Sequence, residues 1–182
     1  MKELGTVVAL LRGINVGGKH PLPMKDLAAM FSDAGCRDVR TYIQSGNVVC
    51  RASQVVARRI PALVTAAIAD RVGFRAPVVT RSADELYQIV RHNPLLRAGM
   101  DTAALHVVFL ADVPVAAKVA TLDPKRSPPD VYAVRGREIY LRCPNGLART
   151  RLTNEYFDAR LATTSTTRSW KTVLRLLELA GR

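Results

Sequence analysis

Val39-Arg40-Thr41-Tyr42-Ile43-Gln44-Ser45-Gly46-Asn47-Val48-Val49-Cys50-Arg51 reads as two strands, 39–44 and 47–51, joined at Ser45-Gly46, and its flanks decide the fold. A Ser-Gly pair between runs rich in β-branched residues is a hairpin signal. Before it, Met24, Leu27, Ala28 and Phe31 recur at helical spacing until Gly35, and residues 6–11 form a short apolar run ended by glycine, a buried strand. After it, Ser53 caps a helix expected to reach Val72, which Pro61 should kink or start. Residues 77–80 then form a strand whose proline places it at a sheet edge. Strand, helix, two strands, helix, strand is the split β-α-β order of ferredoxin-like domains.

A looser second round follows. Residues 83–91 read as a helix broken by Asn93-Pro94, and residues 104–110 as a strand with Leu105, Val107 and Phe109 on one face. Pro114 opens a helix carrying Val115 and Val119, and residues 123–129 form a loop rich in proline and charge. Residues 131–134 and 138–142 flank a second hairpin at Arg135-Gly136-Arg137. Helices at 154–161 and 169–180 complete the chain. No sequence repeat is visible. The expected fold class is α+β, two ferredoxin-like subdomains over residues 1–81 and 82–182, with mixed or antiparallel sheets.

The 182 residues are 48% apolar, enough for a substantial core, and 27 cations against 15 anions give a net charge of +12. Residues 1–117 hold 14 cations and 9 anions, and residues 118–182 hold 13 and 6, so the excess forms a biased folded surface rather than a basic tail. Such a surface suits nucleic acid, anionic metabolites or acidic membrane alike. Cys36, Cys50 and Cys143 are far apart and show no paired spacing for zinc or a redox dithiol, which fits a reduced cytoplasmic protein. The N-terminal apolar run is too short for an export signal or a membrane span, so no membrane partner is expected.

Chemistry concentrates where the first strand ends. Leu11-Arg12-Gly13-Ile14-Asn15-Val16-Gly17-Gly18-Lys19 places glycines between two cations, where a backbone can bend sharply and offer amides to an anion. The spacing approaches a phosphate loop, but His20 stands where a Ser or Thr hydroxyl must bind magnesium. Pro21 also forbids the helix that such a loop requires. The bland alternative is a tight strand exit with solvated Arg12 and Lys19. Asn15, a side-chain amide among glycines, suits orientation of a polar ligand or of the neighbouring loop.

Alternation places Tyr42 and Gln44 on one face of the hairpin, and in a split β-α-β sheet this strand pair borders the glycine loop. Tyr42, Gln44, Ser45 and Asn47 are therefore candidate polar contacts, against the alternative of a well-built turn. Thr166-Thr167-Arg168-Ser169-Trp170 precedes the amphipathic last helix, so its hydroxyls suit an N-cap. Arg168, beside exposed helix amides, would receive a carboxylate or phosphate, and Trp170 would anchor the core.

These three stretches together closely resemble the DUF1697 family, named for its unknown function. The match runs through Arg12-Gly13-Ile14-Asn15-Val16-Gly17-Gly18-Lys19, Pro23-Met24, Leu27, residues 41–49 and residues 166–173. The resemblance implies a two-subdomain α+β architecture and leaves function blank. Cys50 stands where the family favours a larger apolar residue, Ser169 where it favours asparagine, and Thr150 where it favours serine.

His20, His92 and His106 share no metal-ligand spacing, so no metal is expected, and nothing specifies a nucleophile or a cofactor. Asp84-Glu85 suits the start of a helix rather than acid–base chemistry. The leading expectation is a cleft for an anionic small molecule, built from Arg12, Gly13, Asn15, Gly17, Gly18, Lys19, Tyr42, Gln44, Ser45, Asn47, Thr167 and Arg168. A second is nucleic-acid binding through Arg58, Arg59, Arg135, Arg137, Arg142, Arg149 and Arg151; the third strand lacks the aromatics that stack RNA bases. A third is a structural or protein-interaction module in which the motifs stabilise one another.

Overall fold

Ile60, Val64 and Ile68, four residues apart and fully buried, pin one long helix against a strand carrying Val7, Ala9 and Leu11 on its inner face. The computed structural model describes residues 3–182. The chain divides into two units, Met1–Tyr87 with Leu176–Arg182, and Gln88–Arg175.

In the first unit, β1 (Leu4–Leu11), α1 (Met24–Asp33), β2 (Arg37–Tyr42), β3 (Asn47–Ser53), α2 (Gln54–Val72) and β4 (Val78–Ser82) build a four-stranded sheet of order β2-β3-β1-β4. Every neighbouring pair is antiparallel, the ferredoxin-like arrangement that the element order predicted. The proline-led strand β4 is an edge. Ser53 caps α2 by accepting from Val56 N at 3.3 Å, and Gly73 closes it at φ 77°. The helix therefore begins at Gln54, and Pro61 lies inside it rather than at its start. An interior proline costs about 3 kcal/mol. Burial of the three apolar residues on that face, roughly 1.5–3 kcal/mol each, outweighs it.

The second unit repeats the plan. β5 (Leu105–Leu110), α4 (Ala116–Val119), β6 (Val131–Arg135), β7 (Glu138–Arg142), α5 (Asn154–Leu161) and β8 (Ser165–Ser169) form an antiparallel sheet of order β6-β7-β5-β8. Val108, Leu110, Ile139, Leu141 and Phe157 form its core. α4 has only four residues, and Val115 is exposed, not packed as the helical spacing suggested. Residues 165–169 form a strand that the sequence did not announce, ahead of the helix they were expected to cap. Ser-Thr-Thr-Arg-Ser has no apolar alternation, yet it pairs with β5 from His106↔Ser169 to Leu110↔Ser165.

The two sheets share one register. Val8 faces Arg81 as Val107 faces Arg168. Leu11 N donates to Gly46 O at 2.8 Å as Leu110 N donates to Arg137 O at 2.8 Å. Arg12 N donates to Pro77 O as Ala111 N donates to Thr164 O. Thr80-Arg81-Ser82 ends β4 and Thr167-Arg168-Ser169 ends β8, and each leads into a helix, α3 (Ala83–Arg91) and α6 (Trp170–Leu179). Each serine caps its helix: Ser82 Oγ accepts from Glu85 N at 3.1 Å, and Ser169 Oγ from Thr172 N at 3.3 Å. Glu85 returns a carboxylate oxygen to Ser82 N at 2.7 Å, completing a capping box.

Ferredoxin-like sheets carry helices on one face. Here the opposite faces are buried too, at Val8, Leu10, Asn47, Val79 and Arg81 in the first unit and at Leu105, Val107, Phe109 and Tyr140 in the second. Within the first unit, Leu179, Ala180 and Gly181 share a small pocket of about 150 Å³ with Thr6, Val49 and Arg51 of that face. Within the second, Tyr140 donates its hydroxyl to Ile89 O at 3.3 Å.

Trp170 is a buried anchor, as its uniqueness suggested. Cys36 and Cys50, which sequence spacing kept apart, meet in the core of the first unit with their thiols in hydrogen-bonding contact. Arg37↔Arg51 pairing of the adjacent residues brings them together. No helix among the described residues is long and apolar enough to cross a membrane, and none of their His, Cys, Asp and Glu side chains cluster to hold a metal.

Candidate functional site: the glycine loop and its neighbours

The connection from β1 to α1 spans residues 12–23, whereas the corresponding connection from β5 to α4 needs only residues 111–115. The longer one is therefore not demanded by the topology. Within it, Gly13, Asn15, Gly17, Gly18 and His20 all take positive φ, between 51° and 76°. Glycine adopts this region without strain, whereas Asn15 and His20 need local compensation.

Asn15 has it. Its side-chain amide donates to Leu22 O and to Gln44 O, both at 2.9 Å, and its carbonyl oxygen accepts from Leu22 N at 2.7 Å. One side chain thus ties the loop to the segment before α1 and to the β2–β3 turn. Of the two roles considered for Asn15, orientation of the neighbouring loop is the one its contacts fulfil. His20 stacks on Phe74 with ring centroids 4.5 Å apart, and its Nδ1 donates to Gly13 O at 2.8 Å. Gly46 completes the junction, since a β-carbon there would lie 2.7 Å from Leu11 Cβ and 3.0 Å from Ile14 Cδ1.

The tip is built differently. Lys19 N donates to Val16 O at 3.0 Å, closing a turn with Gly17 and Gly18 at its centre, both at positive φ as in a type I′ turn. Nothing lies within 4 Å of where a β-carbon would sit on either glycine, and Val16 is 63% exposed. Among the described residues, none accepts a hydrogen bond from the Gly17 or Gly18 amide, and no carboxylate meets Lys19. α1 begins only at Met24, beyond Pro21 and Pro23, so Lys19 stands outside any helix and the loop is not a phosphate loop.

The hairpin differs from its expected form. β2 ends at Tyr42, and residues 43–46 are the turn, with Ile43 in the left-handed region at φ 49° and 53% exposed. Strict alternation stops there, so Tyr42 and Gln44 are not a same-face pair on a strand. Gln44 holds the loop through its backbone carbonyl. Asn47 is fully buried and donates to Ser45 Oγ at 2.9 Å and Tyr42 O at 3.2 Å, closing the turn from inside.

Thr167 and Arg168 belong to the second unit, on β8. Arg168 is buried, donates to Thr166 Oγ1 at 2.8 Å and to Thr167 O at 2.9 Å, and burial pushes its guanidinium down to about 10. These two bonds hold its guanidinium on β8, the strand that leads into α6. Thr167 donates to Asn154 Oδ1 at 2.8 Å. Thr150 bonds as a hydroxyl at its position would, accepting from Leu152 N at 3.1 Å.

Sequence reading missed Arg81, which is 1% exposed and donates to Thr80 O at 2.7 Å. The signal was present as the repeated Thr-Arg-Ser before each helix. Of the arginines considered for nucleic acid, Arg58 and Arg59 lie on α2 in the first unit, while Arg135, Arg137, Arg142, Arg149 and Arg151 lie in the second.

Among solved structures, a conserved bacterial protein from Streptococcus pneumoniae is similar at a TM-score of 0.72 and 20% identity, over 98% of this chain and 99% of that one. The likeness is one of fold. Curated proteins give no match. A family model described as a protein of unknown function (DUF1697) matches residues 4–140, from the first strand through the second hairpin; the chain belongs to that family.

Proposed function

We propose that the glycine loop of the first unit binds an anionic small molecule bearing a phosphate or carboxylate. The observation that carries the reading is the tip itself. Among the described residues, the Gly17 and Gly18 amides meet no acceptor and the adjoining Lys19 meets no carboxylate, on a connection longer than the topology needs. Consecutive left-handed residues turn amides toward one concavity, and a nearby ammonium adds charge without fixing geometry. Asn15 and His20 position that tip. Arg12, Gly13, Tyr42, Gln44, Ser45 and Asn47 form the loop base and the adjoining turn that orient it. No reaction is assigned to the tip.

Isothermal titration with inorganic phosphate and with a dicarboxylate tests this. The expected result is saturable binding, weakened by Lys19→Ala by about tenfold or more, the loss of one charge-assisted contact. Equal heats for the parent and Lys19→Ala proteins would refute it.

A further inference from the structure

Tyr156, buried on α5, gathers positive charge. The Arg126 guanidinium carbon lies 4.1 Å from its ring centroid and that of Arg160 lies 5.9 Å from it. Arg126 Nε donates to Arg151 O at 2.8 Å, which sets residues 123–130 beside residues 146–152. Ser127 joins the two loops: its Oγ accepts from Arg151 N at 3.0 Å while it donates, buried, to Asp130 Oδ2 at 2.7 Å within its own loop. Tyr156 Oη accepts from Asp123 N at 2.9 Å.

Lys125, Arg149, Arg151 and Arg160 are exposed and Arg126 is half-buried, and none of the five meets a carboxylate among the described residues. The nearby acids do other work. Asp123 accepts from Lys125 N at 2.8 Å, Asp130 accepts from Ser127 Oγ and half-buried Asp158 accepts from Ser165 Oγ at 2.6 Å, while Glu155 is exposed on α5. Two hydrogen-bonded loops and α5 thus carry five cations with no ion-pair partner among the described residues, each able to meet a polyanion.

We infer that this face of the second unit binds the phosphate backbone of duplex nucleic acid, without selecting bases. Four of the five cations are arginines, whose planar forks match phosphate oxygens in pairs. The ring at the centre is only 8% exposed beneath Arg126, so it neither stacks on an unpaired base nor enters a bilayer. Backbone contact alone remains.

Fluorescence anisotropy of the full chain with a labelled duplex of about 20 base pairs tests this. Binding is expected at about 50 mM salt, with a log–log salt slope of about −3 to −5, as four or five phosphate contacts require. Arg151→Glu with Arg160→Glu should weaken it at least tenfold and flatten the slope by about 2. Arg149→Gln with Lys125→Gln, two exposed changes away from the ring, should act in the same direction and guards against misfolding of the first pair. Arg58→Gln with Arg59→Gln, exposed on α2 of the first unit, should bind duplex like the parent, which keeps this result separate from a general effect of net charge. No binding at low salt, both double variants of the second unit binding as well as the parent, or attachment to phosphatidylserine vesicles without duplex binding would overturn it.

Discussion

Asn15 spends its side-chain amide on three contacts to two segments, so removing it should loosen the loop and the hairpin together. Asn15→Ala is expected to cost about 2–3 kcal/mol in urea unfolding, because backbone groups of Leu22 and Gln44 lose their partner and the left-handed φ stays strained. A cost under 0.5 kcal/mol would refute that role. The glycines separate by the same logic. Gly46→Ala meets Leu11 and Ile14 as well as a positive φ, whereas Gly17→Ala meets open space and carries only the backbone penalty of about 1–2 kcal/mol. Thermal melts should therefore show Gly46→Ala clearly the more damaging; equal losses would mean that the junction yields. From sequence, glycines between cations already marked the loop. What they did not show was that Asn15 faces inward, because its partners are carbonyls and an amide from segments whose approach only the folded sheet fixes.

At the scale of elements, β1 and the first helix were legible because a short apolar run and a 3.6-residue period are local signals. β8 was not. Its five polar residues gain strand geometry from the ladder offered by β5, a tertiary choice that overrides local preference. The turn after Tyr42 escaped for a related reason: Ile43 takes a conformation that β-branched residues avoid, held there by the closed loop around it. β5 also holds His106, buried, with its Nδ1 donating to Ala104 O at 3.1 Å. Burial keeps its imidazole below the ordinary 6.5, and the hydrogen bond to Ala104 opposes this more weakly. Below pH 6.5 the unfolded chain binds a proton that the folded chain refuses, so stability present above that pH is lost as pH falls through the folded-state value. Denaturant midpoints measured between pH 8 and pH 5 should fall, and His106→Gln should flatten the decline; an unchanged profile in the variant would exclude His106 as its source.

Across the whole molecule, one ferredoxin-like plan is used twice with matching registers, and the Thr-Arg-Ser repeat before α3 and α6 is its clearest trace in sequence. Elsewhere the copies share strand order but differ in side chains and in helix and loop lengths, which is why element order revealed two halves while residue comparison did not. The copies also differ in use. The first extends its β1–α1 connection into a tip whose Gly17 and Gly18 amides meet no acceptor among the described residues, and the second collects arginines around Tyr156. Net charge alone announced neither, since a total of +12 does not say where cations lack counter-charges. The most direct measurement is a phosphate titration of the ¹⁵N-labelled protein followed by amide chemical shifts. Binding at the tip predicts saturating shifts of the Gly17 and Gly18 amides, with the Lys19 and Asn15 amides, already bonded to Val16 O and His20 O, moving less; shifts that leave the two glycine amides in place while others move would contradict it.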